Sequence, residues 1–209
     1  MTRDGREGPL DLLALMYLAD FGDIAVIGPA FAAAIVILLA ADCRREALAW
    51  GAGVLACAVT TLLLKVSLGG FAVTVFGRTI HALSFPSGHA ALSFAFYIGL
   101  ALLLWRGAEG VILRGLAVLL VALQIGITLA VFLLRWHPLA DMVGGLCLGA
   151  LTLGLAQRVL DAAPPRDSRA LTGVVIAVAA LVMVLHGERF DDRPLNGELF
   201  RTLASELAL

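Results

Sequence analysis

Long apolar stretches separated by short polar punctuation dominate the chain. They cover residues 23–41, 47–68, 88–105, 111–134, 138–157 and 170–186. Each is close to the roughly 20 residues that a helix needs to cross about 30 Å of hydrocarbon. Nothing in that layer hydrogen-bonds to a bare peptide group, so each span is predicted to be a helix that satisfies its own backbone. Residues 10–21 are expected to form an interfacial helix or the lead-in to the first span. At the far end, Leu195, Leu199, Leu203 and Leu207 recur at helical spacing. That suits an amphipathic tail lying on the membrane, and equally a solvated one. The predicted architecture is all-α and polytopic: an N-terminal segment 1–22, a compact bundle of about six transmembrane helices over 23–186, and a tail 187–209.

Composition points the same way. The 209 residues are 61% hydrophobic and 15% charged, and the mean hydropathy is +0.97. A soluble domain of this size cannot bury so much apolar side chain. A net charge of −1 without any basic run gives nucleic acid no footing. Cys43, Cys57 and Cys147 lie in or at the end of apolar runs and form no paired framework. The N-terminal "MTRDGREGPLD" lacks the basic-then-apolar layout of a cleaved signal. "LLAADC" resembles a lipoprotein cleavage site only faintly, because Asp42 stands where a small residue is expected.

The polar residues left inside this pattern are not scattered. Lys65 sits near the end of the second span, and Ser87, Gly88 and His89 open the third. Arg135 closes the fourth, and His137 with Asp141 opens the fifth. Counting spans puts all of them at one membrane face. Singly, each has a plain explanation: Lys65 snorkels, Arg135 with Trp136 anchors an interface, His137-Pro138 starts a helix, and Asp141 suits its dipole. Together they do not, because ionisable groups at membrane depth are expensive and usually functional.

Such a set suits phosphoryl transfer, in which negative charge spreads over several oxygens. Lys65 and an arginine supply cations, while Ser87 and Gly88 at a helix start supply hydroxyl and amide donors. One histidine can attack phosphorus while the other protonates the leaving oxygen. Asp141, one turn after His137, is placed to orient that imidazole. No metal or other cofactor is required. Two histidines and a carboxylate can also hold zinc, but the surrounding cations oppose a second positive charge.

"FPSGHA" at residues 85–90 and "HPLADMVGG" at residues 137–145 carry a family likeness. They resemble the Pro-Ser-Gly-His and His-x-x-x-Asp motifs of the type 2 phosphatidic acid phosphatase superfamily, the integral-membrane lipid phosphate phosphatases. The resemblance runs from about Lys65 to Gly145. It implies that His137 is the nucleophile forming a phosphohistidine, Asp141 its orienting partner and His89 the general acid. It also implies that Lys65, Ser87 and Gly88 bind phosphate, without a metal ion. Two positions depart from the family pattern. Ala72 and Val73 stand where Lys65 would be followed by Arg-Pro, and Ala130 and Val131 stand for Ser-Arg. Arg78 in the same loop, and Arg135 one turn beyond Val131 on a continuing helix, are the expected replacements.

The reading that follows is a membrane phosphatase acting on a lipid phosphate or diphosphate. In the family, substrates include undecaprenyl diphosphate, phosphatidic acid, phosphatidylglycerol phosphate and lipid A phosphates. A lipid phosphotransferase using the same histidine, and an inactive lipid-phosphate binding or transport protein, are the alternatives. Arg44, Arg45, Arg106, Arg114, Arg158, Arg166 and Arg169 fall on the face opposite the site. Short-loop arginines are retained in the cytoplasm. The expected location is therefore a bacterial inner membrane, with the site on its periplasmic face. Substrate and membrane lipids are the partners expected. His81 and His186 are expected to be solvated or interfacial, and Asp20 and Asp23 to cap the first span. Gly144, Gly145, Gly149 and Ala150 are expected to form a close helix-packing face.

Overall fold

A computed structural model describes residues 9–76, 85–107, 110–160 and 168–189. Helices α1 (Pro9–Asp20), α2 (Ile24–Ala40) and α3 (Arg44–Phe76) are followed by α4 (Gly88–Gly107). Then come α5 (Val111–Leu133), α6 (Leu139–Leu160) and α7 (Ser168–Leu185). No strand occurs among the described residues. Six stretches are long and apolar enough to cross a membrane, the first running from Asp11 to Ala40 across the break between α1 and α2. The chain is an all-α polytopic bundle.

Helix α4 is the hub. It is the most buried of the six and packs on α3, α5 and α6, while α2 pairs with α7 and α1 lies against α5. The interior holds small residues such as Ala30, Ala34, Ala91 and Ala95 around Trp50, Phe96 and Tyr97. Leu, Val and Ile side chains, among them Val36, Leu55, Ile112 and Val184, face outward. This is how helices pack in lipid, where close backbone approach matters more than hiding apolar groups. One turn of α4, Phe94–Ile98, is π-helical. There the Trp50 indole donates to the Ala95 carbonyl at 3.3 Å. Gly99 makes room for that ring, since a Cβ on it would lie 2.4 Å from Trp50 Nε1.

Helix ends explain the turns. Asp23 caps α2, its carboxylate accepting the Ala25 N–H at 2.8 Å. After α2, Asp42 takes a left-handed φ of 59° and Cys43 N–H reaches back to the Leu38 carbonyl. Helix α5 ends in the same way. Arg135 N–H meets the Phe132 carbonyl at 3.0 Å and Trp136 N–H the Val131 carbonyl at 3.3 Å, with Arg135 at φ 55°. In contrast to the predicted second span, α3 runs on to Phe76 through Gly69 and Gly70. A helix already nucleated over six turns extends across two glycines at a cost of only about 1 kcal/mol each.

Candidate active site

Lys65, Ser87, Gly88, His89, His137 and Asp141 lie together at the end of the bundle where α4 and α6 begin and α5 stops. Ser87 caps α4, its hydroxyl accepting the Ala90 N–H at 3.4 Å, and it is wholly buried. The Ser87 N–H donates to the Asp141 carbonyl at 2.9 Å. That one backbone bond pins the Pro-Ser-Gly-His loop to the helix carrying His-x-x-x-Asp. The approach is close because α6 presents glycines. A Cβ on Gly145 would lie 2.5 Å from the Ser87 carbonyl oxygen, one on Gly149 2.8 Å from the Ala91 oxygen, and one on Gly144 2.4 Å from the Phe85 ring. Ala150, expected on this packing face, is exposed instead. It follows Gly149 by 100° of helix rotation and so points away from α4.

Around that contact lie the ionisable groups. His137 Nδ1 is 3.8 Å from Asp141 Oδ2, an ion-pair distance rather than a hydrogen bond, and makes no hydrogen bond of its own. Apo catalytic pairs are often this loose and tighten once substrate is bound. Burial, and then the positive charge of His89 and Lys65, push the His137 imidazole below its ordinary value of 6.5, against the opposing effect of Asp141. At neutral pH that ring is therefore an unprotonated base. Lys65 reaches in from α3, its Nζ lying 3.8 Å from where a Gly88 side chain would begin. His89 faces Trp136 edge-on, with ring centroids 5.8 Å apart.

Two motif-bearing helix starts, a lysine and a second histidine thus lie together at one end of the bundle. Family-level comparison matches residues 26–164, from α2 to beyond α6, to the PAP2 superfamily. The chain belongs to the PAP2 superfamily. No curated protein and no solved structure matches it. PAP2 members are phosphatases, so a phosphatase-type function belongs to this chain.

The two replacement arginines fare differently in this PAP2 site. Arg78 lies outside the described residues, as do His81 and residues 190–209. Arg135 is not on a continuing helix, because α5 stops at Leu133 and the chain turns left-handed at Arg135 itself. Its exposed side chain leaves from the turn, next to Trp136, rather than from the helix face below Val131.

Four residues near the site make contacts that the sequence did not disclose. Asp23 does cap α2, but its second carboxylate oxygen lies 3.6 Å from His89 Nε2. Asp20 is not a cap: it ends α1 and binds Arg189 at 2.7 Å. Arg189 in turn lies over the Trp136 ring, 5.4 Å from its centroid. His186 is packed, stacking on Tyr17 at 3.8 Å between centroids and bonding to its carbonyl at 2.9 Å. The only sequence signal for these contacts was the presence of ionisable residues at helix ends.

Proposed function

We propose that the protein removes phosphate from a membrane lipid phosphate or diphosphate through a phosphohistidine at His137. The observation that carries this reading is the pairing of His137 Nδ1 with the buried Asp141 carboxylate. It leaves Nε2 as the free nitrogen of an imidazole whose protonation is disfavoured. Nε2 attacks phosphorus as the bond to the leaving oxygen breaks. That oxygen keeps the electron pair and takes a proton from the His89 imidazolium. Water then attacks the phosphorus carried on Nε2 and gives its proton to neutral His89, and the N–P bond breaks with its electron pair returning to His137. Lys65, the amides at the start of α4 around Ser87 and Gly88, and the arginines Arg135 and Arg78 bear the phosphate charge. Neither step requires a metal.

A lipid substrate suits a site at helix ends, where a head group can enter while its tail remains among the outward-facing Leu and Val side chains. The arginine distribution supports an outward, periplasmic orientation. The test is phosphate release by detergent-purified protein from a panel of lipid phosphates and diphosphates in excess chelator, beside His137→Ala. Release that survives chelation and disappears in the variant is expected. No release from folded protein, with labelled phosphate appearing on an acceptor lipid, would assign transfer instead.

A further inference from the structure

We propose that Asp23 is a positioning residue for His89, forming a second histidine–carboxylate pair that holds the general acid as Asp141 holds the nucleophile. This inference rests on the phosphohistidine reading above. Capping α2 occupies Asp23 Oδ1, which accepts the Ala25 N–H at 2.8 Å. It does not account for Oδ2, which faces His89 Nε2 at 3.6 Å from a side chain only 6% exposed. The cap therefore fixes the carboxylate so that its other oxygen meets the ring.

The surroundings fit the ring to that carboxylate. Gly22 lies alongside, and a Cβ there would be 2.8 Å from Ile127 Cγ2 and 3.6 Å from His89 Cδ2. The carbon Cδ2 adjoins Nε2, so the ring edge turned toward Asp23 is the one resting over this glycine. Trp136 covers another side. Further along α4, the Tyr97 hydroxyl donates to the Phe21 carbonyl at 2.8 Å. The α1–α2 break is thus tied to the catalytic helix at two positions.

With Nε2–H turned toward Asp23, Nδ1 is the nitrogen left to deliver a proton to the leaving oxygen and to receive one from water. Among the described residues, Asp23 from α2 lies at ion-pair distance from His89 and His137 from the α5–α6 turn interacts with it, while Lys65 from α3 and Asp141 from α6 act on His137. The Arg189–Asp20 pair lies behind Trp136. Asp141 is engaged with His137, whereas Asp23 lies at ion-pair distance from His89.

Asp23→Asn is a clean test, because asparagine caps a helix as well as aspartate does. Wild type, Asp23→Asn, Asp23→Ala and His89→Ala are compared on an alkyl phosphate and on p-nitrophenyl phosphate, whose leaving group needs no proton. Asp23→Asn is expected to lower kcat roughly tenfold or more on the alkyl phosphate and little on the aryl one. Its melting temperature is unchanged. Native kcat in Asp23→Asn, with melting lowered only in Asp23→Ala, would overturn the proposal and leave a plain cap. The ¹⁵N resonance of His89 Nε2 separates this inference from the reading beneath it. If His89→Ala shows no leaving-group dependence, the acid role of His89 is lost. A resonance that still moves in Asp23→Asn then retains the pair, whereas an unmoved one overturns it.

Discussion

Replacing Gly145 with alanine places one methyl group where α6 touches the Pro-Ser-Gly-His loop. The new carbon would lie 2.5 Å from the Ser87 carbonyl oxygen, 3.1 Å from Ala90 Cβ and 3.2 Å from Ala91 N, whereas ordinary contact begins at 3.4 Å. The carbonyl cannot rotate aside, because it accepts the Ala91 N–H at 3.0 Å and the same residue's N–H holds Asp141 at 2.9 Å. Helix α4 and its histidine therefore have to move from α6 by about 1 Å. A displacement of about 1 Å costs roughly 100-fold in rate, and overpacking of this kind about 1–3 kcal/mol in stability. Gly154 on the same helix is the control, since a Cβ there meets nothing within 4 Å. Phosphate release and thermal melting in detergent would be measured for both variants. Gly145→Ala is expected to lose both activity and stability. Gly154→Ala should keep its activity and gain up to about 1 kcal/mol from helix propensity. Native kcat in Gly145→Ala would refute the claim that this backbone contact sets the site geometry.

Neutral His137 is the attacking form and burial disfavours its protonation, so activity is retained above the lowered value and lost as pH falls through it. The acid limb of kcat/KM is expected below pH 6.5; Lys65→Met moves it upward and Asp141→Asn moves it downward, and a limb that ignores both would contradict the electrostatic account. Arg135→Gly relieves a left-handed side chain at φ 55° and is expected to raise stability by about 1 kcal/mol in a melting experiment, while phosphatase activity falls at least roughly tenfold. Full activity in that variant would remove Arg135 from phosphate binding.

The spans were legible because lipid imposes a length and an apolar composition that sequence displays directly. The small-residue face of α6 was legible at Gly144, Gly145 and Gly149 for the same reason, since close packing needs missing side chains. Arg135 was not. Its expected position depended on α5 continuing, and where a helix stops short of His137-Pro138 is decided by a left-handed residue that is usually glycine. The role of Asp23 was hidden by sufficiency: a cap explains an aspartate at a helix start, and nothing local points to a histidine far along the chain. Asp20 and Arg189 are likewise joined only by the packing of α1 beside the end of α7. The π-helical turn at Phe94–Ile98 has no sequence mark, because it is made where Trp50 reaches the Ala95 carbonyl.

The most direct test of the central claim is to look for phosphate on His137. Protein incubated briefly with a phosphate-labelled lipid substrate would be quenched in alkali and mapped by mass spectrometry, with His89→Ala included because water activation should slow there and the intermediate accumulate. Acid-labile phosphate on His137, increased in His89→Ala and absent from His137→Ala, is the predicted result. Turnover of the same lipid with no phosphate on His137 in any sample, or with label on another residue, would contradict it.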